Sequence, residues 1–129
     1  MLCQPSPAGC ELLVVYGSLR RGFRVHAVMR RARARYLGNA SVRGRLFDLG
    51  EFPGAVKTPG ASAQVMGELY YLPGAVRTLK FLDQYEGKRY RRDVTEIEFR
   101  SGRRAPAWIY WLKRVPASSR LIEGGECDL

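Results

Sequence analysis

Apolar and polar positions divide the chain into strand-like and helix-like stretches that follow one another without a repeat. Leu12-Leu13-Val14-Val15-Tyr16 is an apolar run with the length and β-branched content of a buried strand. Beyond it the period changes: Val25, Val28, Met29, Ala32 and Tyr36 recur at i, i+3, i+4, i+7 and i+11, which predicts a helix with an apolar stripe. Residues 36–49 alternate loosely through Val42, Arg43, Arg45 and Phe47 and read as one or two strands. The stretch Phe52-Pro53-Gly54-Ala55-Val56 to Pro59-Gly60 reads as a loop, fixed by its prolines and freed by its glycines. From Gln64 to Leu72 alternation returns, with Val65, Leu69 and Tyr71 on one side and Met66, Glu68, Tyr70 and Leu72 on the other. Pro73-Gly74 breaks it. A helix then runs from Ala75 to Glu86, with Ala75, Leu79 and Leu82 on one line, Val76 beside it, and Arg77, Lys80 and Gln84 opposite. Thr95, Ile97 and Phe99 alternate with Glu96 and Glu98, Ser101-Gly102 makes a turn, and Ala105 to Leu112 is a strand apolar on both sides. The last dozen residues, with Gly124-Gly125, read as a docked or frayed tail.

A chain of 129 residues, 46% hydrophobic and 26% charged, is a single domain with enough apolar residues for a sizeable core. Its longest apolar runs, around 12–16 and 105–112, are too short to span a bilayer. The first residues lack the basic-then-apolar order of a signal peptide, so a cytoplasmic protein without a membrane partner is expected. Cys3, Cys10 and Cys127 are odd in number, lie in the tails and have no CxxC spacing, which implies neither a disulfide framework nor a zinc site.

Charge changes the picture more. Lys and Arg number 22 against 12 Asp and Glu, a formal net charge of +10 that brings nucleic acid into consideration as a partner. Many of the cations, Arg20, Arg21, Arg24, Arg30, Arg31, Arg33 and Arg35, fall around the first predicted helix, away from its apolar stripe. No RNA-binding aromatic motif or zinc-finger spacing accompanies them, so a solvated helix face is expected and no specific nucleic-acid partner. The same field would steer a small anion toward a site.

Two places carry candidate chemistry. At Tyr16-Gly17-Ser18-Leu19 a strand turns into small residues ahead of a helix, and the unpaired N–H groups of such a nest can hold a carboxylate or phosphate. An ordinary strand-to-helix turn is the competing reading. The other place is Glu86, which falls on the centre of an apolar helix face in the last turn, immediately before Gly87. An apolar wall and the negative end of a helix both disfavour a carboxylate there. A frayed turn that lets Glu86 reach solvent or Arg92 is the alternative.

YGSLRRG, FPGAV, VMGELYYL, LDQYEGKRYRR with Glu86, Tyr90 and Arg92 in E-x-x-x-Y-x-R spacing, and AWIYWL occur in one order. Together they resemble the γ-glutamylcyclotransferase-like superfamily, which includes the γ-glutamylamine cyclotransferases and the plant avirulence-induced-gene proteins. The resemblance covers about residues 12–113. It implies an α+β fold, a small mixed β-barrel with flanking helices and a cavity at the end of the first strand. It also implies a reaction: intramolecular attack of a γ-glutamyl substrate's α-amine on its γ-carbonyl, giving 5-oxoproline and a released amine. Glu86 takes the catalytic place, and Tyr16, Gly17, Ser18 and Leu19 the substrate-binding loop. Tyr110 and Tyr16 would add hydroxyls to the cavity or serve as core tyrosines. No metal or cofactor is required. One departure is the tail, Gly124-Gly125-Glu126-Cys127, where bacterial members often carry a Gly-Asp-Trp-like sequence. A non-catalytic ligand-binding protein of the same fold, and a basic nucleic-acid binder, are the alternatives.

Overall fold

Strands β1(Leu12–Val15) and β6(Arg104–Leu112) are apolar on both faces because each is covered twice. Val14, Ala107, Ile109 and Trp111 point into one buried cluster, while Leu13, Val15, Trp108 and Tyr110 point into another. The first cluster is the inside of a barrel. The second lies between the barrel and a helix, α1(Ala75–Glu86), whose Ala75, Leu79 and Leu82 are buried against it. The computed structural model describes residues 11–16, 27, 29–49, 53–58 and 63–122.

The barrel closes through β2(Arg35–Asp48), β4(Gln64–Tyr71) and β5(Tyr90–Phe99), in the circular order β2, β4, β1, β6, β5 and back to β2. Every neighbouring pair is antiparallel except β1 with β6, which run parallel with Leu13 opposite Trp108. Closure is made where Ala40 and Ser41 meet Phe99 and Glu98. This is the mixed barrel the resemblance implies, and closure leaves these five strands no open edge.

Two further strands attach to the far end of β2. Its residues Gly44 to Asp48 pair on one side with β3(Pro53–Lys57), and Leu46 to Asp48 pair on the other with β7(Arg120–Ile122). Pro53 to Lys57, within the stretch from Phe52 to Gly60 expected to be a loop, is a strand instead. Pro53 heads the strand, where its missing N–H costs nothing, and the ladder to β2 overrides the local turn signal. β7 has no sequence signature at all; it is part of the tail, docked by pairing.

The first predicted helix also ends earlier than its apolar stripe suggests. Arg33 adopts a left-handed conformation (φ 58°), its N–H donating to Arg30 and that of Ala34 to Met29 at 3.0 and 2.9 Å, the two bonds of a Schellman stop. Arg35 and Tyr36 therefore belong to β2, a single continuous strand whose register shifts by one residue between Tyr36 and Gly38. In the second half, α1 matches its predicted limits, while β5 begins at Tyr90, five residues before the alternation is evident.

Gly67 shows how tightly β1 is seated. A Cβ at this position of β4 would lie 2.9 Å from the Val15 carbonyl oxygen and 2.9 Å from Val14 Cγ2. The oxygen is backbone and cannot swing away. Gly67→Ala is therefore expected to cost about 1–3 kcal/mol, by displacing the end of β1. Urea unfolding should show a lower midpoint with an unchanged slope.

Candidate active site

Glu86 closes α1 at the edge of the buried layer between helix and barrel. The chain leaves it through Gly87, at φ 76° and ψ −164°, then a 3-10 turn over Gly87–Arg89 that leads directly into β5. The positive φ is the glycine requirement expected from sequence, but ψ is extended rather than left-handed helical, a combination accessible almost only to glycine. It lets the helix end sharply without unwinding, so the Glu86 side chain stays at the layer and is not frayed into solvent.

The Glu86 carboxyl is partly buried, and among the described residues nothing donates a hydrogen bond or an ion pair to it. Burial alone pushes its pKa from 4.5 up to about 7. Three phenols surround it closely enough to feel its charge: Tyr16 at the end of β1, Tyr90 at the start of β5 and Tyr110 on β6. Each is raised above the ordinary tyrosine range, chiefly by burial, so all three remain neutral hydroxyls at physiological pH. The site is thus one titratable carboxyl among uncharged polar groups.

Tyr16 is 7% exposed and spends its hydroxyl on the backbone: it donates to the Tyr110 carbonyl at 2.5 Å and accepts from the Ala55 N–H at 3.1 Å. It thereby ties the end of β1 to β6 and β3. Tyr90 donates to the Pro53 carbonyl at 3.3 Å, a second link to β3. The FPGAV segment accordingly meets the cluster through its backbone, a role its residue types do not advertise. Tyr110 faces α1 rather than the barrel interior, and its hydroxyl donates to Asp83 Oδ1 at 2.7 Å. Gly17, Ser18 and Leu19, the expected anion-binding loop, lie outside the described residues, as do the three cysteines.

Asp83 is not among the residues expected from sequence, and the alternative in which a frayed last turn lets Glu86 reach Arg92 is not the arrangement found. Arg92 does not reach back to Glu86. Its Nε and Nη2 donate to the two Asp83 carboxylate oxygens at 2.7 and 3.0 Å, and its guanidinium stacks 4.2 Å from the Trp108 ring centre. Burial raises the Asp83 pKa, but the hydrogen bonds from Arg92 and Tyr110 more than reverse this and hold it below the ordinary range. A clue exists in the sequence: Asp83 stands three residues before Glu86, one helical turn back and on the flank of the same face.

Among the described residues no group of three or more His, Cys, Asp or Glu side chains is placed to hold a metal ion, and no helix is long and apolar enough to cross a membrane.

Known proteins share this architecture. The chain is 32% identical to a Vibrio cholerae protein named "Putative gamma-glutamylcyclotransferase", over 90% of its own length and 94% of that protein's. Among solved structures, YkqA from Bacillus subtilis superposes with a TM-score of 0.69 at 26% identity. That match covers 90% of this chain but 39% of YkqA, so the chain corresponds to less than half of that protein. An AIG2-like protein of Mus musculus has the same fold, with a TM-score of 0.68 at 24% identity, over 83% of this chain and 80% of the mouse protein. The model of one family, gamma-glutamyl cyclotransferase, AIG2-like, matches residues 13–128, a span that takes in the barrel from Leu13 onward, α1 and Glu86. With fold, motifs and that span in agreement, the chain belongs to the gamma-glutamyl cyclotransferase, AIG2-like family.

Proposed function

We propose that the protein converts a γ-glutamyl amide or peptide into 5-oxoproline and a free amine, with Glu86 moving the proton. The observation that carries this reading is a partly buried, unpaired carboxyl held near pH 7 among neutral hydroxyls. A γ-glutamyl α-amine lies a five-membered ring away from the γ-carbonyl, so catalysis consists largely of holding the chain folded. The amine arrives as an ammonium. Glu86 as carboxylate accepts one proton from it, the nitrogen attacks the γ-carbonyl, and Glu86 hands that proton to the amide nitrogen as the tetrahedral carbon expels it. The second proton that the ring nitrogen sheds follows by the same carboxyl, so the amine leaves as an ammonium and 5-oxoproline as a neutral lactam. A new C–N bond replaces the old one, and the carboxyl returns to its starting state. A pKa near the working pH suits a group that must act as base and then as acid.

The backbone amides of Gly17, Ser18 and Leu19 would grip the substrate α-carboxylate, a neutral means of binding charge that leaves Glu86 unpaired. The exposed arginines, Arg30, Arg31, Arg43 and Arg45 among them, would draw anionic substrates in without reading a nucleic-acid sequence. The test is a panel of γ-glutamyl amines, γ-glutamyl dipeptides and glutathione, scored for 5-oxoproline. At least one member should be turned over, with a rate that rises through about pH 7 as Glu86 ionises. Binding of panel members without any 5-oxoproline would replace this reading with a non-catalytic ligand-binding role.

A further inference from the structure

We propose that Asp83 is a positioning residue of the site: by engaging Arg92 it keeps that cation off Glu86 and ties the last turn of α1 to β5 and β6. The inference rests on the role proposed for Glu86. Tyr90 and Arg92 are two residues apart on β5 and therefore project from the same face of the strand, the face that meets α1. Glu86 stands three residues beyond Asp83 on α1, about 4.5 Å along the helix axis, so an Arg92 released from Asp83 has the glutamate within its neighbourhood. An arginine paired with Glu86 would fix it as a carboxylate and remove it as a proton carrier. Asp83 offers Arg92 a better partner, with two parallel hydrogen bonds of 2.7 and 3.0 Å.

The rest of the arrangement makes that choice rigid. Tyr110 donates to the same carboxylate from β6 at 2.7 Å, and Trp108 lies against the guanidinium at 4.2 Å. The last turn of α1 contains no basic side chain of its own; the Gly87 N–H caps it on the Asp83 carbonyl, the Arg92 contact ties it to β5, and the Lys113 N–H holds the following 3-10 turn through the Arg89 carbonyl at 2.9 Å. The groups that face Glu86 are the phenols Tyr16 from β1, Tyr90 from β5 and Tyr110 from β6. The charges bordering them are Asp83 on α1, Arg92 on β5, and Arg89 on the 3-10 turn, which acts on Tyr90. β3 contributes backbone only, through Pro53 and Ala55. Burial is the sole cause of the shift at Glu86, and neither Asp83 nor Arg92 contributes to it in the paired arrangement.

The test is the titration midpoint of the Glu86 side chain, read by carbon-13 NMR of the carboxyl and assigned by its loss in Glu86→Gln, without substrate. Asp83→Asn can still accept from Tyr110 but releases Arg92, and the midpoint should fall by about one pH unit or more. Arg92→Gln removes the cation and leaves Asp83 charged, so the midpoint should hold or rise. In the double variant, Asp83→Asn with Arg92→Gln, it should return to within about 0.3 pH unit of the parent, since neither charge remains. A contact that only braces the fold would leave the Asp83→Asn midpoint in place and would make the double variant no better than the single. Either result overturns the proposal, as does a lowered midpoint in Arg92→Gln, which also serves if Asp83→Asn does not fold. Because no turnover is needed, an inactive parent with these midpoints would fault the proposed reaction alone. An active parent whose midpoint ignores Asp83 would fault the positioning role alone.

Discussion

Replacing Glu86 with glutamine should abolish 5-oxoproline formation while making the protein more stable near neutral pH. General acid–base catalysis by a positioned side chain is worth about 10²–10⁴-fold, and Gln keeps the shape of Glu while unable to carry the proton. The stability gain follows from the same burial. The Glu86 pKa is 4.5 when the chain is unfolded and about 7 when it is folded. Well below the first value the carboxyl is protonated in both states and costs nothing. Between the two values the native protein holds a proton that the unfolded chain has released, so stability falls as pH rises, and above the folded value the loss levels off. Its upper bound is about 3 kcal/mol. Glu86→Gln never carries this penalty, so its advantage should be full at pH 8 and nearly gone at pH 4. Paired urea melts at the two pH values measure it. A variant that is destabilised at pH 8, or one that still turns over, would make Glu86 a structural group.

That conflict between chemistry and stability is what made Glu86 legible in the sequence. A carboxylate on the axis of an apolar stripe, at a helix C-terminus and before a glycine, violates three local preferences at once. The helix itself was equally plain, since α1 has one buried line of Ala75, Leu79 and Leu82 and begins at the Pro73-Gly74 break. β1 and β6 were legible for a related reason: strands buried on both sides read as continuous apolar runs. The elements that escaped are those made by distant partners. β3 is a strand only because β2 offers it a ladder, and β7 only because β2 runs past the barrel far enough to pair again.

The helix before β2 was legible, but its end was hidden by a coincidence of period. Met29, Ala32 and Tyr36 fit one helical stripe, but Arg33 turns left-handed and Tyr36 begins alternating in a strand. Nothing in an arginine announces that conformation, which glycine or asparagine ordinarily fills. The partner of Arg92 was hidden differently. Both Asp83 and Glu86 lie within reach of β5 on a helical wheel, and only the packed geometry, with Tyr110 and Trp108 on either side, assigns the cation to Asp83. Sequence spacing finds neighbourhoods; hydrogen-bond geometry chooses the pairs inside them.

Tyr16 separates a structural from a substrate-binding hydroxyl, and removing its side chain should cost more stability than any other change at the site. Tyr16→Ala would empty a ring-sized space inside the barrel, a loss of about 3–5 kcal/mol for a large aromatic. It would also leave the Ala55 N–H without its acceptor in a buried setting, adding about 1–3 kcal/mol. Against a total stability of about 5–15 kcal/mol, little would remain. Tyr16→Phe is the sharper instrument, because it keeps the ring and deletes only the oxygen that joins Tyr110 and Ala55. It should lower stability by about 1–3 kcal/mol. The loss should be equal at pH 5 and pH 8, since burial holds the hydroxyl above the ordinary tyrosine range and it stays neutral throughout. This contrasts with Glu86→Gln, whose effect must vanish in acid. In the folded fraction, KM for a substrate found by the panel should stay within about threefold of the parent, because the oxygen is spent on backbone partners and only a contact worth well under 1 kcal/mol would be lost. A Phe variant with unchanged stability and a KM raised tenfold or more would show that Tyr16 turns its hydroxyl to the substrate, and that the end of β1 is held by something else.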